Sequence, residues 1–75
     1  MTDDRWIEIA RFSDLLEAQL LRGLLASHDI DAHIPEEATA SAFGYGGLIL
    51  DGIRVMAPVA QAGPARMLLR SIQNR

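Results

Sequence analysis

The chain has no cysteine among its 75 residues, which excludes a disulfide framework, a thiolate metal site and a thiol nucleophile. Lysine is missing as well. The seven cations are all arginine: Arg5, Arg11, Arg22, Arg54, Arg66, Arg70 and Arg75. No Schiff-base or P-loop lysine chemistry is therefore open to it. No excess of positive charge exists either. The formal net charge is -3, the pI is about 5.1, and the arginines are scattered among acids. Nucleic acid is excluded as a partner on that ground, because phosphate-backbone binding depends on clustered cations that release counterions. Long apolar runs are absent too; none approaches the roughly 20 residues that cross a bilayer. Met1 to Asp4 is acidic where a signal peptide would be basic, so the expectation is an unprocessed cytoplasmic protein with no membrane partner.

What is present is apolar. Hydrophobic residues make up 49% of the chain against 23% charged, a balance that folds where a disordered chain would be charge-rich. A chain this short forms one domain and buries only about 60% of its unfolded surface, so a second copy would add useful stability. Trp6 to Phe12 alternates, with Ile7 and Ile9 on one side and Trp6, Glu8 and Ala10 on the other, which predicts a strand over 5–12. Ser13 then reads as the N-cap of a helix over 13–28, with Ala18, Leu21, Leu24, Leu25 and His28 on its buried side. Gly23 in mid-helix costs close to 1 kcal/mol relative to alanine and suggests that a neighbour approaches closely there. Asp29 accepts the left-handed conformation that ends a helix, and Ile30 can fold back over the last turn.

Ile30, Ala32 and Ile34 predict a second strand over 30–34, stopped by Pro35. Residues 35–47 show no periodicity and read as a loop, and 48–57 as a third strand region with an irregular lead-in. Its regular part has Ile53, Val55 and Ala57 inward. A second helix over 61–73 follows, with Ala65, Leu68, Leu69 and Ile72 as its apolar face and Pro64 confined to its first turn. The order strand, helix, strand, strand, helix predicts an α+β sandwich. It is a truncated ferredoxin-like β-α-β-β-α unit: a three-stranded antiparallel sheet in the order 1-3-2 with both helices on one face.

Several stretches carry a family likeness. Glu17-Ala18-Gln19-Leu20-Leu21, Leu24-Leu25, Ile30-Asp31-Ala32, Gly52-Ile53-Arg54-Val55-Met56-Ala57-Pro58 and Ala65 resemble the small bacterial DUF2007 family. The resemblance spans nearly the whole chain. It departs at Asp29, where that family usually has glycine, and at Val59-Ala60-Gln61, where it has acidic residues. It implies a PII-like fold and a signalling or scaffolding role more than chemistry. In PII proteins the loop between the second and third strands engages partners, and Glu36 to Gly47 holds the matching place. None of the PII phosphate-binding basic residues is matched, so nucleotide binding is not implied.

Candidate sites are few. His28, Asp29, Asp31, His33, Glu36 and Glu37 are close in sequence but lack the spacing of a metal site and read as a solvated acidic edge. Gly44-Tyr45-Gly46-Gly47 precedes a strand, not the helix a phosphate cradle requires. The serines have no His and carboxylate partners at recognisable positions, so neither a catalytic site nor a cofactor is expected. The residues most suited to partner binding are Phe43 and Tyr45 on the glycine-containing loop, and Trp6 and Met56 on the outer face of the sheet. The expectation is a non-enzymatic signalling or protein-interaction module. It would form a homodimer or higher homo-oligomer through the open sheet edge or outer face, and bind a protein partner of unknown identity. The alternative is a sensor that binds a metabolite between the 35–47 loop and the sheet.

Overall fold

The computed structural model describes residues 4–42 and 52–73. Strand β1 (Trp6–Phe12) leads into helix α1 (Leu15–Ser27). A short helix α2 (Glu37–Ala42) comes next, then strand β2 (Ile53–Pro58). A 3-10 turn over Val59–Gln61 opens into helix α3 (Ala62–Gln73).

The expected three-stranded sheet in the order 1-3-2 is not what forms. Among the described residues the sheet has two strands, β1 and β2, paired antiparallel. The stretch 30–34, expected as a strand, contributes a single bridge in which His33 and Met56 exchange backbone hydrogen bonds of 2.9 and 2.8 Å. The cause is visible in its backbone partners. The Asp31 N–H donates to the Gln61 side chain at 2.9 Å, and Gln61 Nε2 donates back to the Asp29 carbonyl at 3.2 Å. Beyond His33, the Arg54 N–H donates to Glu36 Oε1 at 2.6 Å, so a carboxylate fills the position that a third strand's carbonyl would occupy. Side chains thus cap the free edge of β2, and Pro58 ends it without a donor.

A second correction concerns β1. Its register with β2 shifts between Glu8 and Ala10, so Ile9 and Ala10 together oppose Val55. The extra residue of this bulge changes the parity of the strand. Ala10, expected on the outer face, instead pairs with buried Val55 and packs on the core, as do Ile7 and Phe12.

Helix α1 starts one residue later than expected: Asp14, not Ser13, is the N-cap, its Oδ1 accepting from the Leu16 N–H at 2.9 Å. It ends as the sequence implies. Asp29 has φ 61°, its N–H donates to the Ala26 carbonyl, and the Ile30 N–H donates to the Leu25 carbonyl, both at 3.0 Å. This is a Schellman ending, and buried Ile30 closes over buried Leu25. Leu15, Ala18, Leu21 and Leu25 of α1 meet Ile53, Val55 and Ala57 of β2, with Ala62 and Ala65 of α3 completing the core. Both long helices therefore cover one face of the sheet. Gly52, at φ 84°, leads into β2; a Cβ there would lie 2.8 Å from Arg11 Cγ, so only glycine fits.

The stretch expected as a loop over 35–47 contains α2. Pro35 followed by two glutamates is a helix-start signal, since the acids face the positive end of the helix dipole. Buried Ala40 seats this helix against the core. Among the described residues the close neighbour expected at Gly23 is not found: a Cβ on it would meet none of their atoms within 4 Å.

Candidate functional site

The outer face of the sheet carries Trp6, Glu8 and Arg11 from β1 opposite Pro58, Met56 and Arg54 from β2. Arg11 and Arg54 are direct cross-strand neighbours, a like-charge contact that would destabilise the pair if nothing intervened. Two carboxylates intervene. Arg11 Nη2 donates to Glu8 Oε1 at 2.7 Å, and Arg54 Nη2 donates to Glu36 Oε2 at 2.7 Å with Nε adding a second bond at 3.0 Å. Residues three apart on a regular strand point to opposite faces; Glu8 and Arg11 share one because the bulge at Ile9 lies between them. The result is a row of four ionic groups across the sheet, Glu8, Arg11, Arg54, Glu36, with the two arginines in the middle and a carboxylate at each end.

The environment of each carboxylate sets its titration. Burial pushes the Glu36 carboxyl upward, but the bonds from the Arg54 guanidinium and backbone N–H outweigh it and hold the group below the usual carboxylate range. The Arg11 hydrogen bond lowers Glu8 likewise. Glu37 lies on the other side of α2's first turn. There it accepts from Arg22 Nη1 at 2.7 Å and Gln19 Nε2 at 3.0 Å, which lower its pKa to about 2. Glu36 and Glu37, expected as a solvated edge, thus fasten α2 to β2 and α1 respectively.

Trp6 stands beside this charged row. It is 46% exposed, and its ring meets His33 edge-on at 6.2 Å between centroids and 75° between planes. Met56 is half-buried, bridged to His33 on one side and opposite Glu8 on the other. The structure therefore brings Trp6 and Met56 onto one surface, as expected. Phe43 and Tyr45 lie outside the described residues. Sequence reasoning missed Arg11 and Glu36, because their place here depends on a bulge and on a side chain acting as a strand's substitute.

Among the described residues, two hollows sit away from this row. One of about 430 Å³ is lined by Arg22, Gly23, Ala26 and residues 29–32; the other, of about 330 Å³, by Phe12, Glu17, Leu20, Leu21 and Ile72. Neither is lined by residues 35–42. Among the described residues no three His, Asp or Glu side chains gather as metal ligands, and no helix is long and apolar enough to cross a membrane.

Fold and site together define a small two-layer α/β domain whose candidate site is a charge-paired sheet face with an exposed tryptophan. The chain belongs to the DUF2007 family, described as "Putative prokaryotic signal transducing protein", whose model matches residues 6–73. Comparison with curated proteins and with solved structures finds no match.

Proposed function

We propose that this chain is a non-enzymatic signalling module that works by binding protein, through the outer face of its sheet, and by associating with a second copy of itself. The observation that carries the reading is the exposure of Trp6 within an ordered ionic row. Tryptophan and arginine are the residues that most often anchor protein interfaces, and here both are held in place before any partner arrives. The arginines already have carboxylate partners, so a bound protein gains contact with a preset surface without leaving a buried charge unpaired. The family description supports a signalling role.

Affinity capture from the native lysate tests the reading, with Trp6→Ala and Arg54→Gln beside the wild-type chain and mass spectrometry to identify what is retained. The expected result is a discrete protein held by the wild type and lost with Trp6→Ala, whose melting temperature stays near that of the wild type because the ring is half in solvent. Retention of the same proteins by all three chains would contradict it.

A further inference from the structure

Helix α1 is apolar around most of its circumference. Leu15, Ala18, Leu21 and Leu25 are buried, yet Leu16 and Leu20 on the opposite side are 53% and 67% exposed. Helices apolar on all sides are covered on all sides in working proteins. The outward row runs Leu16, Leu20, Gly23, Ser27, in steps of four, three and four, which is the spacing of a helix-packing seam. None of the four is charged. The open space at Gly23 makes a notch in this row that no atom of the chain's described residues fills.

We infer that the outward row of α1 packs antiparallel against the same row of a second copy, about a two-fold axis beside Leu21 and Arg22. This rests on the proposed self-association and names its surface. In that register Leu20 faces Gly23 of the second copy and Leu16 faces its Ser27, so a large side chain meets a small one in each layer. A parallel pairing would set leucine on leucine and leave a gap between two glycines. No acid faces an acid across the seam: Glu17, beside it, lies nearest Ala26 of the second copy. The row itself is about 20 Å long, so reaching the roughly 800 Å² that each partner contributes to a stable dimer takes in the ground beside it, where Phe12, Leu20 and Ile72 line a hollow. The rival surface, the outer edge of β1, carries the bulge at Ile9, a device by which natural strands resist edge-to-edge pairing.

The test uses the full chain, which has no cysteine of its own. Leu16→Cys and Ser27→Cys chains are mixed and oxidised, and light scattering is run on the wild type, Gly23→Gln, and Leu20→Ala combined with Gly23→Leu. The inference expects a disulfide joining the two cysteine variants to each other in preference to either alone, and a wild-type mass of twice 8.2 kDa. Gly23→Gln should weaken the dimer roughly tenfold or more without lowering the monomer's melting temperature, and the size-swapped double variant should recover it. Self-linked Leu16→Cys as the main product, or a dimer indifferent to Gly23→Gln, overturns the seam while leaving self-association standing. A wild type that stays at 8.2 kDa throughout overturns both.

Discussion

Single side chains decide how this chain is held together, and the two adjacent glutamates of α2 show it most clearly. Glu36 satisfies both the backbone N–H and the guanidinium of Arg54. Glu36→Ala should therefore lower stability by about 1–3 kcal/mol in urea denaturation, because it strands the Arg54 N–H at the sheet edge and removes the carboxylate that offsets the charge of Arg54 beside Arg11. Glu37 acts through pH. Its pKa falls from 4.5 to about 2 on folding, so the stability it confers is complete above pH 4.5 and is lost as pH drops through that interval. Glu37→Gln should flatten the melting-temperature profile over that acid range; parallel profiles for the two chains would refute the assignment. Asp29 sits at φ 61°, where glycine carries no Cβ penalty. Asp29→Gly should raise stability by about 0.5 kcal/mol, after subtracting glycine's greater freedom in the unfolded chain.

At the scale of elements, α1 carries two demands at once. Its buried row builds the core and its outward row stays apolar, with Gly23 reducing helix propensity in open space. Gly23→Ala should stabilise the isolated monomer by close to 1 kcal/mol in thermal denaturation, since nothing obstructs the added methyl. Loss of stability would mean that an unseen neighbour already fills the notch. The elements that were legible in the sequence are those with a periodic signature: the alternation of Ile53, Val55 and Ala57, the buried row of α1 except His28, which is exposed at the C-cap, and the left-handed stop at Asp29. The second strand, expected over 30–34, failed for a reason periodicity does not encode. Ile30, Ala32 and Ile34 alternate as a strand would, but Gln61, thirty residues on, takes the Asp31 N–H and Glu36 takes the edge of β2. The bulge at Ile9 was equally hidden, because WIEIA alternates perfectly whether or not a residue is extra. Of the candidate site, Trp6 and Met56 could be placed from alternation alone. The ionic row could not, since its parity depends on that bulge. Helix α2 did leave a signal, in Pro35 followed by Glu36 and Glu37, ahead of a run of small residues.

Taken whole, the molecule is thin: two layers, 19 Å through its shortest dimension, with little interior and two broad faces. One face is ionic, bulge-shaped and marked by Trp6. The other is the helix layer, where Leu16 and Leu20 of α1 are exposed. A domain this small gains proportionately more from covering such a surface than a large one does, and the proposed division gives one face to a foreign protein and the other to a second copy. Sedimentation equilibrium of the full chain across micromolar concentrations tests that division most directly. The account predicts a mass rising to twice 8.2 kDa, with Trp6→Ala sedimenting as the wild type does and Gly23→Gln remaining at the monomer mass; a wild-type chain that stays monomeric at every concentration would contradict it.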